Sequence, residues 1–190
     1  MSSGGGSVYP GRQRRQAAVG RRQNPMIIRP MRAGEGKLAA EVSAASETAA
    51  RWSAADYESL PNQGGTRFCL LGEEPPGQVA GLVAACALAP EGEILDLAVI
   101  PEKQQAGLGG ALLAAAIERL AAAGVRNIWL EVRQSSQAAI AFYLHHGFQV
   151  EGRRPGYYQS PPEDALILGL RLEASALQTS TGLKNPACLS

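Results

Sequence analysis

Between an apolar stretch ending at Ile100 and a long apolar-striped segment lies the run Gln104-Gln105-Ala106-Gly107-Leu108-Gly109-Gly110. A glycine turn at a helix start points several backbone N–H groups in one direction, and the helix dipole adds partial positive charge there. Together they make an anion site suited to a pyrophosphate. Glycine suits the turn because a side chain would block close approach of the phosphates. Two rival phosphate motifs fail. A Walker loop needs Gly-Lys-Ser/Thr, which the chain lacks. A Rossmann fingerprint starting at Gly107 needs Gly or Ala where Leu112 stands, and it belongs to an early strand–helix unit rather than a late one. Taken alone, the run reads equally as a glycine-rich turn entering a helix.

The elements around this turn follow from periodicity. Met26–Arg29 reads as a strand, and Leu38, Val42 and Ala45 at helical spacing predict a helix over about 35–48. Ser53 stands as N-cap before Ala54–Leu60, with Asp56 in the first turn. Arg67–Leu71, Val79–Leu88 and Ile94–Ile100 read as three strands, antiparallel across Pro/Gly/Glu-rich linkers. A helix from about Gly107 to Ala123 carries the stripe Leu112, Leu113, Ala116, Ile117, Leu120 and stops at Gly124. Val125–Val132 is the next strand. Ser135 or Ser136 caps a helix that ends near His146, with Gly147 just beyond it. Phe148–Glu151 and Ala165–Leu172 are the last strands. The order β, α, α, β, β, β, α, β, α, β, β predicts an α/β fold with a mixed sheet.

Composition narrows the function classes. Hydrophobic residues make up 45% of the 190-residue chain and charged residues 18%, which predicts a folded core. Eighteen basic residues balance 17 acidic ones, so nothing argues for direct nucleic-acid binding. No apolar run is long enough to span a membrane. Cys69, Cys86 and Cys188 lack metal-ligand spacing, and His145 and His146 are adjacent rather than one turn apart, so no metal is expected. The cysteine pattern fits a reducing, cytoplasmic setting. Residues 1–24, rich in Arg and without acid, read as a disordered basic tail. The domain is expected over 25–172, with a flexible tail over 173–190. The Arg-rich start shares features with transit peptides, but its serines are few.

The glycine run resembles the acetyl-CoA motif of the GNAT superfamily, Gln/Arg-x-x-Gly-x-Gly/Ala. The second half resembles the RimI-type N-terminal acetyltransferases. The residues that carry this are Trp129-Leu130-Glu131-Val132-Arg133, Ser135, Ala138-Ala139-Ile140-Ala141-Phe142-Tyr143, Gly147-Phe148, Tyr157-Tyr158 and Glu163-Asp164-Ala165. Upstream, Trp52-Ser53 and Asp56-Tyr57 are also similar. The likeness spans roughly Met26–Leu172 and leaves both tails aside.

The resemblance implies the GNAT fold, with about seven strands and four helices. It implies acetyl-CoA as co-substrate, its pantetheine arm along the backbone of Leu97, Ala98 and Val99. The pyrophosphate would sit on Gln105, Ala106, Gly107, Leu108, Gly109 and Gly110. It implies Glu131 as general base, through water, and Tyr143 as general acid toward the thiolate. Tyr157 and Tyr158 would shape the slot for the substrate's first residues. The substrate implied is a protein N-terminus, an alanine-starting ribosomal protein in the first instance.

Blander readings stand beside these. Glu131 in an apolar strand reads as a solvent-facing side chain, Tyr143 beside Phe142 as a core residue, and Tyr157-Tyr158 as the cap of a loop. Arg153 and Arg154 read as a solvated face, and Cys86 as core, which disfavours an acetyl-thiol route. Two departures bear on the cofactor. Ser136 stands where the family usually carries an Asn that contacts it, and Gln105 and Ala106 replace basic residues frequent in the turn. The alternatives left open are transfer to a small amine or lysine side chain, and a silent acetyl-CoA-binding module.

Overall fold

A computed structural model describes residue 1 and residues 26–46, 52–62, 66–74 and 77–173. The tails expected over 1–24 and 173–190 lie outside the described residues, apart from Met1 and Glu173. The elements are β1 (Ile27–Pro30), α1 (Gly36–Ala45), α2 (Ala54–Ser59), β2 (Thr66–Glu74), β3 (Gln78–Leu88), β4 (Glu91–Val99), α3 (Leu108–Ala122), β5 (Asn127–Arg133), α4 (Gln137–His145), β6 (Gln149–Gln159) and β7 (Pro162–Arg171). Short 3-10 turns follow α2 and β4. This is the predicted order.

Local chemistry explains the boundaries. Ser53 and Asp56 form a reciprocal capping box at α2: Asp56 N–H donates to Ser53 Oγ, and Ser53 N–H donates to Asp56 Oδ2. Gly124 and Gly147, at φ +87° and +90°, supply the left-handed residues that end α3 and α4. One boundary departs from expectation. The last strands were expected over Phe148–Glu151 and Ala165–Leu172, but β6 continues through Tyr158 to Gln159 and β7 begins at Pro162. Polar Arg153-Arg154-Pro155-Gly156 is not loop. It belongs to an outer strand, where a proline is tolerated because no neighbour needs its N–H.

The seven strands form one sheet in the order β1-β2-β3-β4-β5-β7-β6. β1 to β4 pair antiparallel as a meander. β4 and β5 are parallel neighbours, joined through α3. Their pairing is confined to three rows, Glu91–Asn127, Gly92–Ile128 and Glu93–Trp129. Beyond Glu93 the two strands part, leaving a wedge between Leu95–Val99 and Leu130–Arg133. A bulge sets the geometry of β4. Ala84 pairs Asp96 and Ala85 pairs Ile94, so Leu95 is the extra residue.

The bulge inverts the alternation of β4. Ile94 packs with α3 and α4 on one face, and so do Leu97 and Val99, three and five residues on. That face buries Leu108, Leu112, Leu113, Ala116 and Leu120 of α3, each large side chain worth about 1.5–3 kcal/mol relative to exposure. The opposite face packs Ala39 and Val42 of α1 and Tyr57 of α2 on Leu71, Leu82, Ala84 and Ala98.

A polar group sits inside that second layer. Asp96 is 4% exposed, and Tyr57 is fully buried. The Tyr57 hydroxyl donates to Asp96 Oδ2, and Ser43 Oγ donates to the same oxygen at 3.0 Å. Burial first, and then the Asp96 charge, pushes the Tyr57 hydroxyl above its ordinary value. Its contribution is therefore complete below the unfolded value of 10.0 and is lost only as pH rises through the higher folded value. Tyr57→Phe keeps the ring and strips the donor from a buried carboxylate. We expect a loss of about 1–3 kcal/mol in urea unfolding at pH 7. An unchanged midpoint would show that the carboxylate does not depend on this donor.

Candidate active site

The turn after β4 is built by two left-handed residues, Gln105 at φ +59° and Gly107 at φ +88°. Gly107 is the N-cap of α3 and offers no side-chain cap. Ala111 N–H is the first amide of the helix to reach back, to Gly107 O. Among the described residues, the amides of Gln105 to Gly110 donate to no backbone carbonyl. They are the donors an anionic group needs at a helix start, so the turn fits a pyrophosphate. The side chain of Gln104, the first residue of the motif, closes the turn by donating to Val99 O at 3.0 Å. Sequence reading did not assign it a contact.

The glycines answer to different demands. Only Gly107 needs its positive φ, and a Cβ there would meet nothing within 4 Å. A Cβ on Gly110 would lie 3.0 Å from His146 Nε2, and one on Gly109 would lie 3.6 Å from the Phe142 ring. Space for a phosphate is thus not the only demand on these glycines. Gly110 lets α3 approach the end of α4, where His146 is held by Phe142 O at 2.8 Å.

Leu97, Ala98 and Val99 line the wedge on the β4 side, where β5 no longer pairs with them. Ala98 is buried; Leu97 and Val99 are partly so. Ser136 occupies the N-cap position of α4, but its side chain makes no cap bond, against expectation. Gln137 Nε2 donates instead to Gln134 O at 3.0 Å.

Glu131 and Tyr143 approach the wedge from β5 and α4. Glu131 alternates with the buried Leu130 and Val132, so it points away from α3 toward the α1–α2 side. It is not a freely solvated side chain: only 16% of it is exposed. Arg154 Nη1 lies 2.6 Å from Glu131 Oε1, and the Tyr157 hydroxyl donates to the same carboxylate. That bond, with burial next, pushes the Tyr157 hydroxyl up to about 12. Glu93, on the same face, is raised above its ordinary value by desolvation and then by the Glu131 charge.

Tyr143 is 8% exposed and packs edge-on against Phe148 and Phe142. Burial raises its hydroxyl well above the usual phenol range, with Asp96 and Tyr158 adding to the effect. It stays protonated throughout the neutral range.

Tyr157 and Tyr158 lie in strand β6, not in a loop, with rings 5.0 Å apart and edge-to-face. The Arg133 guanidinium covers Tyr158 at 4.0 Å, and that of Arg154 covers Tyr157 at 5.1 Å. Glu163 and Asp164 explain why these rings stay put. Glu163 accepts from Arg133 and from the Ser135 amide, and Asp164 accepts from the Gly156 amide at 2.8 Å. The β6–β7 hairpin is thereby tied to the end of β5 and the start of α4. Arg153 and Arg154 lie on an exposed face, as expected, and from it pair with Asp164 and Glu131. No sequence signal marks those pairs, because the partners lie on strands whose register is set by bulges.

Cys86 is buried in β3, as its apolar surroundings predict, and Cys69 is buried in β2 with its thiol pushed up to about 12 by burial. Among the described residues, no group of three His, Cys, Asp or Glu side chains is arranged to hold a metal, and no helix is long and apolar enough to cross a membrane.

Known proteins share this fold and part of this sequence. Residues 38–148 match the acetyltransferase (GNAT) family. The chain is 37% identical over 121 residues to the [ribosomal protein bS18]-alanine N-acetyltransferase of Escherichia coli K12, covering 63% of this chain and 80% of that protein. It is 29% identical over 141 residues to a putative enzyme of the same name from Bacillus subtilis, covering 74% and 92%. Among solved structures, the ribosomal-protein-S18-alanine N-acetyltransferase from Escherichia coli superposes with a TM-score of 0.69 at 31% identity, covering 78% of this chain and 95% of that one. Ard1 from Thermoplasma volcanium shares the fold at a TM-score of 0.68 and 22% identity. The chain belongs to the acetyltransferase (GNAT) family and is an acetyl-CoA-dependent N-acetyltransferase.

Proposed function

We propose that this enzyme acetylates the α-amine of a protein N-terminus, with the alanine-starting ribosomal protein named for its relatives as first candidate. The observation that carries the reading is the grouping of Glu131, Tyr157 and Tyr158 on the open side of the wedge, opposite the turn that fits a pyrophosphate. An amine entering there meets a carboxylate at the mouth of the cleft, flanked by two aromatic rings.

Bound acetyl-CoA supplies an activated acetyl thioester. Gln105 to Gly110 hold its pyrophosphate through backbone amides, and Leu97 to Val99 lie along its pantetheine arm. Ser136 adds a hydroxyl beside it. Glu131 takes a proton from the incoming ammonium, directly or through one water, which frees the nitrogen lone pair for attack. An α-amine titrates near 8, so a carboxylate suffices as the acceptor at neutral pH. Tyr143 holds its proton at neutral pH and delivers it toward the departing sulfur as the C–S bond breaks. Tyr157 and Tyr158 frame the first residues of the peptide.

The test is transfer to peptides beginning with Ala, Ser, Gly or Met, with internal lysine and with an acetyl-blocked control. CoA release and mass mapping give the rate and the site. We expect acetyl on the free α-amine and none on the blocked peptide. Acetyl on lysine, or on a free polyamine with peptides refused, replaces this reading by the side-chain or small-amine one. Acetyl-CoA binding without transfer leaves a silent binding module.

A further inference from the structure

The Glu131–Arg154 pair is lopsided. The Arg154 side chain keeps 55% of its surface exposed, whereas Glu131 keeps 16%. The carboxylate is set into the cleft and the cation lies over it from the solvent side. Among the described residues, the guanidinium otherwise meets the face of Tyr157, itself 43% exposed, and the charge of Glu93.

Its backbone, by contrast, is fixed. Between Arg154 and Tyr158 strand β6 advances four residues while β7 advances two, from Ala165 to Glu163. The surplus bulges at Pro155 and Gly156, with Gly156 at φ +61° and its amide held by Asp164. Asp164 also pairs with Arg153 at 3.3 Å. The pinned bulge therefore follows directly on a cation that lies on the solvent side of a half-sunken carboxylate.

A substrate amine comes to Glu131 largely as an ammonium, since an α-amine titrates near 8. It competes with Arg154 for that carboxylate, since two cations beside it repel each other and each weakens the other's hold. We propose that Arg154 is a displaceable latch on Glu131, exchanged for the substrate ammonium, and that this exchange favours substrates presenting a cationic amine directly at the carboxylate. The inference rests on reading Glu131 as the group that receives the amine. Arg154 is thus a specificity-determining residue, not a catalytic one.

The test compares the full-length wild type, Arg154→Gln and Arg154→Lys in steady-state kinetics with an Ala-starting peptide. A partly exposed ion pair is worth a few-fold in equilibrium terms. The peptide KM of Arg154→Gln is expected to fall about two- to fivefold, and kcat/KM to rise with it. The KM for acetyl-CoA serves as the control for an intact fold and should not move. Arg154→Lys restores the charge and should return the peptide KM toward the wild-type value. A higher peptide KM in Arg154→Gln would mean that Arg154 grips the substrate, which overturns the latch. Equal KM values in all three would overturn it too. Failure of the functional reading is distinguishable, because it appears in the wild type as product mapped away from the α-amine. The same KM ratio is then measured on the amine that is modified.

Discussion

Glu131→Gln is expected to lower kcat about 10²–10⁴-fold near neutral pH while acetyl-CoA binding persists. The substitution keeps size and hydrogen-bonding capacity but removes the ability to take a proton. Glu131 lies on β5, across the wedge from the glycine turn, so the amides proposed to receive the pyrophosphate are untouched. Single-turnover transfer with an Ala-starting peptide, alongside titration with acetyl-CoA, separates the two effects. The deficit should shrink as pH rises past 8, where the amine increasingly arrives unprotonated. Turnover equal to the wild type at pH 7 would remove Glu131 from the mechanism. The variant also loses the charge that holds Arg154, so the peptide KM should be read separately from kcat.

Tyr143→Phe is expected to lower kcat about 10²-fold, toward the weaker end of proton-transfer effects. A thiol titrates near 8.5, so a thiolate is a modest base and gains less from an acid than an alkoxide would. The hydroxyl of Tyr143 makes no hydrogen bond with another described side chain that would collapse on its removal, and the ring packing against Phe142 and Phe148 is retained. Stability should therefore hold while the rate falls, and thermal unfolding monitored beside the assay distinguishes the two. A rate loss matched by a large loss of stability would make Tyr143 a packing residue, the bland reading of its sequence context.

Much of the fold was legible in the chain. The stripe of α3, the capping box at Ser53 and the stop glycines Gly124 and Gly147 are local signals, and local geometry obeys them. The glycine turn that opens α3 was legible too, through a motif whose spacing has a physical cause. What the chain hid was set by register. Strand β6 reads as polar loop at Arg153–Gly156 because an outer strand buries little. The Arg154–Glu131 pair depends on two bulges that no periodicity announces. Nor did the chain announce that Gly110 also keeps clear of His146.

The extra residue in β4 makes the strand a matter of parity. Residues an even number apart normally share a face, yet Ile94 and Leu97, three apart, both meet α3 and α4, while Asp96 and Ala98 turn to the other side. Swapping one apolar side chain for another along Leu95–Val99 trims or crowds the packing. Removing Leu95 would close the ladder with Ile94 and Asp96 as direct neighbours on opposite faces, so Leu97 and Val99 would still meet α3 and Asp96 would still face Tyr57. Removing a residue without losing the bulge would instead reassign every later side chain at once, as a frameshift does in a reading frame.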